Sequence, residues 1–258
     1  MSSSEKEKST VQSVERAFLI LELLALHTTA GLTLTQLAKM SKLHKSTAYR
    51  LVNVLMQMGY VSQPEKNGAY RLTFKSYEIG SCLVNNLAVL PIARPYLDQL
   101  SQTFNEVAHL VVPDGNCVIY IHKSDSGSNT FRVRSQLGVR LPMQRTAVGK
   151  SILATMDEEE IAHFWETRDM RPGTDREVDN LEKLKEELAR VRSQGYATDN
   201  EENEPGVCCV AAAIVNRQGH AVAAMSVSAP TIRMDEQRTR EIARQVMASA
   251  HSISVQYR

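Results

Sequence analysis

Cysteine is scarce in this chain, and long apolar runs are missing. The four cysteines show no Cys-x-x-Cys spacing, which gives no zinc signature and suits reduced thiols in a cytoplasmic protein. The longest apolar run, residues 207–215, falls well short of the roughly 18 to 20 residues of a membrane helix. The polar segment 1–9 lacks the apolar core of a secretory signal and is expected to be a disordered tail. We therefore expect a cytoplasmic protein with no metal, no cofactor and no membrane partner.

Acidic residues are missing from one long stretch near the N-terminus. No Asp or Glu lies between Glu22 and Glu65. Residues 1–75 carry ten basic and five acidic side chains, a net charge of +5, whereas the remainder carries −4. Because residues 1–75 are basic and the remainder of the chain is acidic, we expect residues 1–75 to bind a polyanion. The charge distribution alone does not exclude the alternative that these basic residues form a solvated surface that binds no partner.

Apolar spacing predicts three short helices in this basic part. The first covers residues 12–27, the second begins at a capping box formed by Thr33 and Gln36, and the third runs from about His44 to Met58. The residues expected to face the core are Val14, Phe18, Leu21 and Leu24 in the first helix, and Ala48, Leu51, Leu55 and Met58 in the third.

A β-hairpin is predicted after the third helix. Beyond Gly59 the apolar period changes to two, and the dipeptide Asn67-Gly68 supplies the residues that a tight hairpin turn requires. Three helices followed by a hairpin make a winged helix-turn-helix, which we assign to residues 10–73. In this architecture the third helix enters the major groove of DNA.

The third predicted helix carries side chains suited to DNA. Hydroxyls and free amides at a helix N-terminus bind phosphate, and an arginine on the outer face can pair with guanine. A helical domain that binds protein is the alternative. The predicted DNA contacts are Lys42, Lys45, Ser46, Thr47, Tyr49 and Arg50, with Lys66 and Asn67 at the hairpin tip.

The rest of the chain predicts a linker helix and an α+β domain. Residues 74–90 form a helical segment with an apolar seam at Ile79, Leu83 and Leu87, which either mediates dimerisation or packs on its own domain. Pro91 and Pro95 are expected to interrupt the helical pattern. In residues 91–258, strand-rich segments at 106–125, 130–136 and 208–230 are separated by helices, which predicts an antiparallel sheet.

Four motifs together resemble the IclR family of bacterial transcription regulators: "TLTQLAKMSKLHKSTAYRLVNVLMQMGYV", "LGVRLPMQRTAVGKSILA", "GYATDNEENEPGVCCVAAAI" and "AMSVSAP". The resemblance runs from about residue 10 to the C-terminus. It implies a GAF-like effector-binding and oligomerisation domain over residues 91–258. It also implies homodimers or homotetramers and a small-molecule effector, commonly an organic acid. The pocket residues it implies are Val133, Leu141, Ala147, Val148, Asp199, Cys209, Ser226 and Ser228.

Two positions depart from the family pattern. Ala147 stands where relatives often have glycine, and Cys208 adjoins Cys209. Neighbouring residues on a strand face opposite sides, so only one of these two cysteines can line a pocket.

The resulting functional expectation is a DNA-binding transcriptional regulator, in the repressor mode that is commoner in the family. Its operator is double-stranded DNA, and its effector is a small organic acid such as a sugar acid or keto acid. One alternative is an activator that responds to an aromatic acid. The other is a metabolic enzyme with a fused basic domain, for which Cys209 would be the nucleophile. We assign no catalytic residue and no metal ligand.

Overall fold

The chain divides into two compact units after Asn86 in a computed structural model that describes residues 11–66, 68–127, 135–171 and 173–257. The predicted contacts Asn67 and Val133, and most of the predicted strand at 130–136, lie outside these ranges. Within them, no helix is both long and apolar enough to cross a membrane.

The N-terminal unit is a helix-turn-helix followed by a short hairpin and a further helix. Thr33 Oγ1 accepts a hydrogen bond from the Gln36 backbone N–H, and Gln36 Oε1 accepts one from the Thr33 N–H, which confirms the predicted capping box. The elements are α1 (Gln12–Ala25), α2 (Leu34–Met40), α3 (Lys45–Gln57), β1 (Val61–Ser62), β2 (Arg71–Leu72) and α4 (Lys75–Asn85).

The core-facing side of α1 differs from the prediction. Ile20 and Leu24, one turn apart, are buried, whereas Val14 and Phe18 are at least half exposed. In α3 the buried line is Ala48, Val52 and Leu55, and Met58 is more than half exposed. The prediction of Val14, Phe18 and Met58 as core residues was therefore wrong. Both helices carry apolar residues on two faces, and only one face is used by the core of this unit.

The C-terminal unit has a six-stranded antiparallel sheet in the order β5-β4-β3-β8-β7-β6. This arrangement confirms the predicted α+β class. The elements are α5 (Val89–Phe104), β3 (Val107–Asp114), β4 (Cys117–Ser124), β5 (Arg140–Pro142), α6 (Ala147–Leu153), α7 (Glu158–Thr167), α8 (Leu181–Gln194), β6 (Ala197–Asn200), β7 (Val207–Val215), β8 (Ala221–Pro230) and α9 (Glu236–Gln256).

Helices cover both faces of this sheet. One apolar core joins α6, α7 and α8 to the side chains of Val111, Ala211 and Ala224 on the central strands. Since side chains alternate along a strand, the residues next to these point to the opposite face, where α5 and α9 pack on the sheet and on each other. Helix α6 thereby lies directly over the middle of the sheet, which positions its first turn above the inward-facing residues of β7 and β8.

Proline does not interrupt α5, contrary to the prediction. Pro91 is the third residue of the helix, where a backbone N–H has no helical acceptor to lose. Pro95 lies inside the helix and costs one hydrogen bond. Burial of Ala93, Leu97 and Leu100 on the same helix offsets that loss. The segment 74–90, predicted as a linker helix, comprises α4 and the first residues of α5, with a break at residues 86–88.

Candidate functional site

The outer face of α3 presents the predicted DNA-binding side chains to solvent. Lys45, Ser46, Tyr49 and Arg50 are exposed, Thr47 is half-buried, and Ala48 on the opposite face is fully buried. The N-cap residue His44 makes no side-chain cap, so the first amides of α3 have no partner from that side chain. Such amides, together with the neighbouring hydroxyl and ammonium groups, suit a phosphate.

Basic residues flank α3 in the structure. Lys42 lies in the turn between α2 and α3 with a left-handed backbone, φ 55°, and Lys66 is exposed at the hairpin tip. The hairpin is tied to the helices by two backbone hydrogen bonds between Leu32 and Tyr70, of 3.0 and 2.8 Å. In the described part of the chain, Lys42, Lys45, Arg50 and Lys66 form no ion pair with an acidic side chain.

A second candidate site is a cavity of about 290 Å³ between the sheet and the start of α6. Six of the effector residues implied by the family resemblance line it: Leu141, Ala147, Val148, Asp199, Cys209 and Ser228. Ser226 is buried but is not part of the wall. The wall also contains residues whose side chains were not predicted to contact the effector, among them His109, Tyr120, Ser135 and Arg145.

A chain of neutral polar groups forms one side of the cavity. His109 Nε2 lies 2.7 Å from Ser135 Oγ, and its Nδ1 lies 3.3 Å from Ser228 Oγ, which in turn lies 3.0 Å from Cys209 Sγ. Burial, with a smaller effect from the charge of Lys123, lowers the pKa of His109 to about 3, so the ring is neutral at physiological pH. This side can exchange hydrogen bonds with a hydroxyl or carbonyl oxygen but brings no charge.

The two adjacent cysteines face opposite ways, as the strand period predicts. Cys209 lines the cavity, whereas the Cys208 thiol lies 3.2 Å from Asn200 Oδ1 and 3.5 Å from Thr231 Oγ1. Burial raises the pKa of the Cys209 thiol well above its usual value. Cys209 is therefore held as a thiol, the weakly nucleophilic form.

Asp199 is held by the loop that follows its own strand. Its Oδ1 accepts hydrogen bonds from the backbone N–H groups of Glu202, at 2.8 Å, and Asn203, at 3.4 Å. Burial, and secondly the negative charge of Glu202, raise the pKa of Asp199 to about 7. Near neutral pH this carboxyl group therefore carries a proton part of the time.

Asp199→Asn is expected to remove part of the pH dependence of stability. The pKa of Asp199 is higher in the folded state than in the unfolded chain, so its stabilising contribution is complete below about pH 4 and is lost as pH rises through about 7. The free energy of unfolding of the wild type, relative to the variant, should fall on the order of 2 kcal/mol between about pH 5 and pH 8. Urea unfolding at both pH values measures this difference. An equal difference at the two values would contradict the proposed proton uptake.

Two buried cations lie on the segment that leads into and through α6. Lys150 is fully buried, and its Nζ lies 2.6 Å from Glu187 Oε1 and 2.6 Å from Glu202 Oε1. Arg145 is 7% exposed and lines the cavity, and it donates one hydrogen bond, from Nη1 to the Arg171 carbonyl oxygen at 2.8 Å. Its Nε is buried without a partner. From the family resemblance, segment 145–150 is expected to form one wall of the pocket through its main-chain amides, but the Arg145 side chain has no predicted role.

Among the described residues, no group of three or more His, Cys, Asp or Glu side chains is arranged to hold a metal ion.

Comparison with known proteins gives matches over both units. Residues 82–255 match the family model described as "Bacterial transcriptional regulator IclR C-terminal", and residues 13–65 match "IclR helix-turn-helix domain". The HTH-type transcriptional regulator KdgR of Escherichia coli is 35% identical over 252 residues, covering 98% of this chain and 95% of that protein. The transcriptional repressor IclR of Escherichia coli is 29% identical over 248 residues, covering 96% and 90%. The crystal structure of the Thermotoga maritima IclR superposes with a TM-score of 0.79 at 30% identity, covering 96% of this chain and 99% of that one.

Proposed function

Because the chain belongs to the IclR family of bacterial transcriptional regulators, we propose that it is an operator-binding repressor whose affinity for DNA is changed by a small organic acid. The observation that carries this proposal is the exposed outer face of α3, with its hydroxyl, basic and aromatic side chains, in a unit that matches the family's helix-turn-helix. The cavity in the C-terminal unit is the proposed effector site.

Operator recognition is assigned to α3, with support from the flanking turn and hairpin. Arg50 on the outer face is suited to a base edge, whereas Lys42, Lys45 and Lys66 are suited to phosphates. Each phosphate contact releases a counterion, so operator affinity should fall steeply as salt is raised.

Arg50→Ala is expected to weaken binding to the operator by about 1–3 kcal/mol and to relax the preference at one base position. The operator can be selected from a random-sequence library with the purified wild-type protein, and affinities can be measured on operator and scrambled DNA. Lys66→Ala is the matched comparison, since loss of a phosphate contact should weaken both DNAs equally. If Arg50→Ala also weakens both equally, Arg50 is a phosphate contact and base recognition lies elsewhere.

The cavity supports a compact hydroxylated or keto acid as the effector. Its volume is near the lower end of the roughly 300–1,000 Å³ that ligand pockets span. Its wall combines apolar side chains, such as Val139, Leu141 and Val207, with polar ones, and one neutral polar side is formed by His109, Ser135, Ser228 and Cys209. A thermal-shift screen of sugar acids, keto acids and aromatic acids tests the assignment. A ligand at a hundred times its Kd should stabilise the protein by about 2.7 kcal/mol. A hit should then be tested for release of the operator.

Homodimerisation is assigned to an apolar face of the N-terminal unit, formed by Val14, Phe18, Val54, Met58 and Ile79. All five side chains are at least half exposed, and they surround one groove. A contiguous exposed apolar surface of this kind marks an interaction site. A two-fold dimer through it would present two copies of α3 to half-sites about one helical turn of DNA apart, roughly 34–36 Å.

The high pKa of the Cys209 thiol supports a binding role for the cavity over the enzymatic alternative. A nucleophilic cysteine needs a nearby base or cation to lower its pKa, and here the nearest polar partner is the Ser228 hydroxyl.

A further inference from the structure

We propose that Arg145 binds the carboxylate group of the effector and is the residue that restricts the cavity to monoanionic ligands. The inference rests on the proposed function of the cavity and deepens it by naming the recognised charge and the group that recognises it. Arg145 is the last residue of a short 3-10 turn, Met143–Arg145, that leads into α6, and it is one of the residues that line the cavity.

The guanidinium of Arg145 is buried with most of its hydrogen-bonding capacity unused. A guanidinium carries five N–H donors and one positive charge. In the described structure it makes one hydrogen bond, to the neutral Arg171 carbonyl oxygen, and its buried Nε has no partner. No carboxylate of the described residues lies within ion-pair distance of it. A buried charge without a counterion is costly, so the arrangement is incomplete until an anion enters.

Lys150, five residues further along the chain, is a buried cation whose charge is neutralised by carboxylates of the same fold. Its ammonium group is contacted by two carboxylates, each at 2.6 Å. Arg145 lies on the same segment and is almost as deeply buried, yet it has no carboxylate partner. The difference between them is that Arg145 is one of the residues that line the cavity and Lys150 is not. The missing counterion is therefore assigned to the ligand.

Acidic residues in the cavity wall do not replace that counterion. Asp199 and Glu204 both line the cavity, but neither forms an ion pair with Arg145, for which the N–O distance limit is 4 Å. Asp199 is fixed to the backbone amides of its own loop, and its raised pKa leaves it partly neutral. The charges that act most strongly on Asp199 are those of Glu202 and Lys150.

The cavity composition selects a carboxylate over a phosphate. Among the described residues that line the cavity, Arg145 and His109 are the basic side chains, and His109 is neutral there. A phosphate monoester dianion would bring a second, uncompensated charge into this space, whereas a carboxylate matches one guanidinium as a bidentate pair. The neutral side of His109, Ser135 and Ser228 then takes a hydroxyl or keto oxygen of the same ligand.

The first test needs no ligand. Arg145→Met removes an uncompensated buried charge and should raise the melting temperature of the ligand-free, full-length protein by about 2–4 °C for each kcal/mol gained. Arg140→Met is the matched control, because Arg140 is half exposed and pairs with Asp114 at the surface, and it should change the melting temperature little. A melting temperature that falls in Arg145→Met would overturn the proposal, since it would make Arg145 a structural residue.

The second test uses matched probes on wild type, Arg145→Met and Arg145→Lys. The probes are D-gluconate, pyruvate and benzoate, each with its neutral amide, and D-glucose 6-phosphate. Stabilisation of the wild type should be confined to the carboxylates. Arg145→Met should lose at least tenfold in affinity for them, and Arg145→Lys should lose less. Equal binding of an acid by wild type and Arg145→Met, binding of the amides, or preference for the phosphate would each contradict the assignment.

Operator binding by the wild type is measured in parallel on the selected DNA. Its absence would refute the proposed function as a repressor, whereas the ligand-free comparison of Arg145→Met with Arg140→Met still decides the role of Arg145.

Discussion

Lys150→Met is expected to lower the free energy of unfolding of the C-terminal unit by about 3–5 kcal/mol, because it leaves the carboxylates of Glu202 and Glu187 without their shared cation. The Glu202 side chain is buried, and its second oxygen, Oε2, already has no partner. Methionine matches the length of the lysine stem, so the cost comes from the lost charge and not from a cavity. Urea unfolding of wild type and variant measures the difference.

The pH dependence of this loss provides an internal check. Burial already raises the pKa of Glu202 while Lys150 opposes that shift, so removing Lys150 should raise this pKa further. A carboxyl group whose pKa is raised in the folded state stabilises that state below its unfolded pKa, and the stabilisation is lost as pH rises through the folded pKa. The destabilisation by Lys150→Met should therefore be smaller at pH 5 than at pH 8. A pH-independent loss would mean that packing, not charge, is responsible.

Two further variants separate charge from general damage to the fold. Lys150→Met combined with Glu202→Gln should recover part of the lost stability, because the buried uncompensated charge is gone. Lys183→Met is the matched surface control, since Lys183 is 60% exposed and pairs with the exposed Asp179, and exposed pairs contribute about 0–1 kcal/mol. A loss from Lys183→Met as large as that from Lys150→Met would contradict the role given to the buried ion pairs.

Local sequence signals predicted the elements that local interactions create. The Thr33–Gln36 capping box, the three N-terminal helices and the opposite orientations of Cys208 and Cys209 depend on residues no more than a few positions apart. The face of α1 that packs against the core could not be predicted from local sequence signals. Val14 and Phe18 follow a helical period as well as Ile20 and Leu24 do, and the period does not say which apolar face the core of the unit covers.

The polar groups of the cavity could not be predicted from spacing, because their partners are distant in sequence. The ion pairs of Lys150 join residues 37 and 52 positions apart, and the contact between His109 and Ser228 spans 119 positions. The family resemblance supplied Asp199, Cys209 and Ser228 at the cavity. It gave no role to the side chain of Arg145, whose lack of a carboxylate partner among the described residues is visible only when the surrounding side chains are in place.

Phe18→Glu is expected to convert the proposed dimer into a monomer and to weaken operator binding by roughly 100-fold or more. The reason is that the two copies of α3 in a dimer bind two half-sites of one DNA at the same time, which raises the operator affinity by about this factor. Phe18 is 60% exposed in the N-terminal unit, so a charge there should leave the fold of the unit intact while opposing an apolar interface. Light scattering after size exclusion measures the mass, circular dichroism the fold, and fluorescence anisotropy the operator affinity. Met170→Glu, at a 72% exposed apolar position of the C-terminal unit, is the control that should leave mass and affinity unchanged. A Phe18→Glu protein that stays dimeric and binds the operator normally would show that the two copies of α3 are joined through another surface.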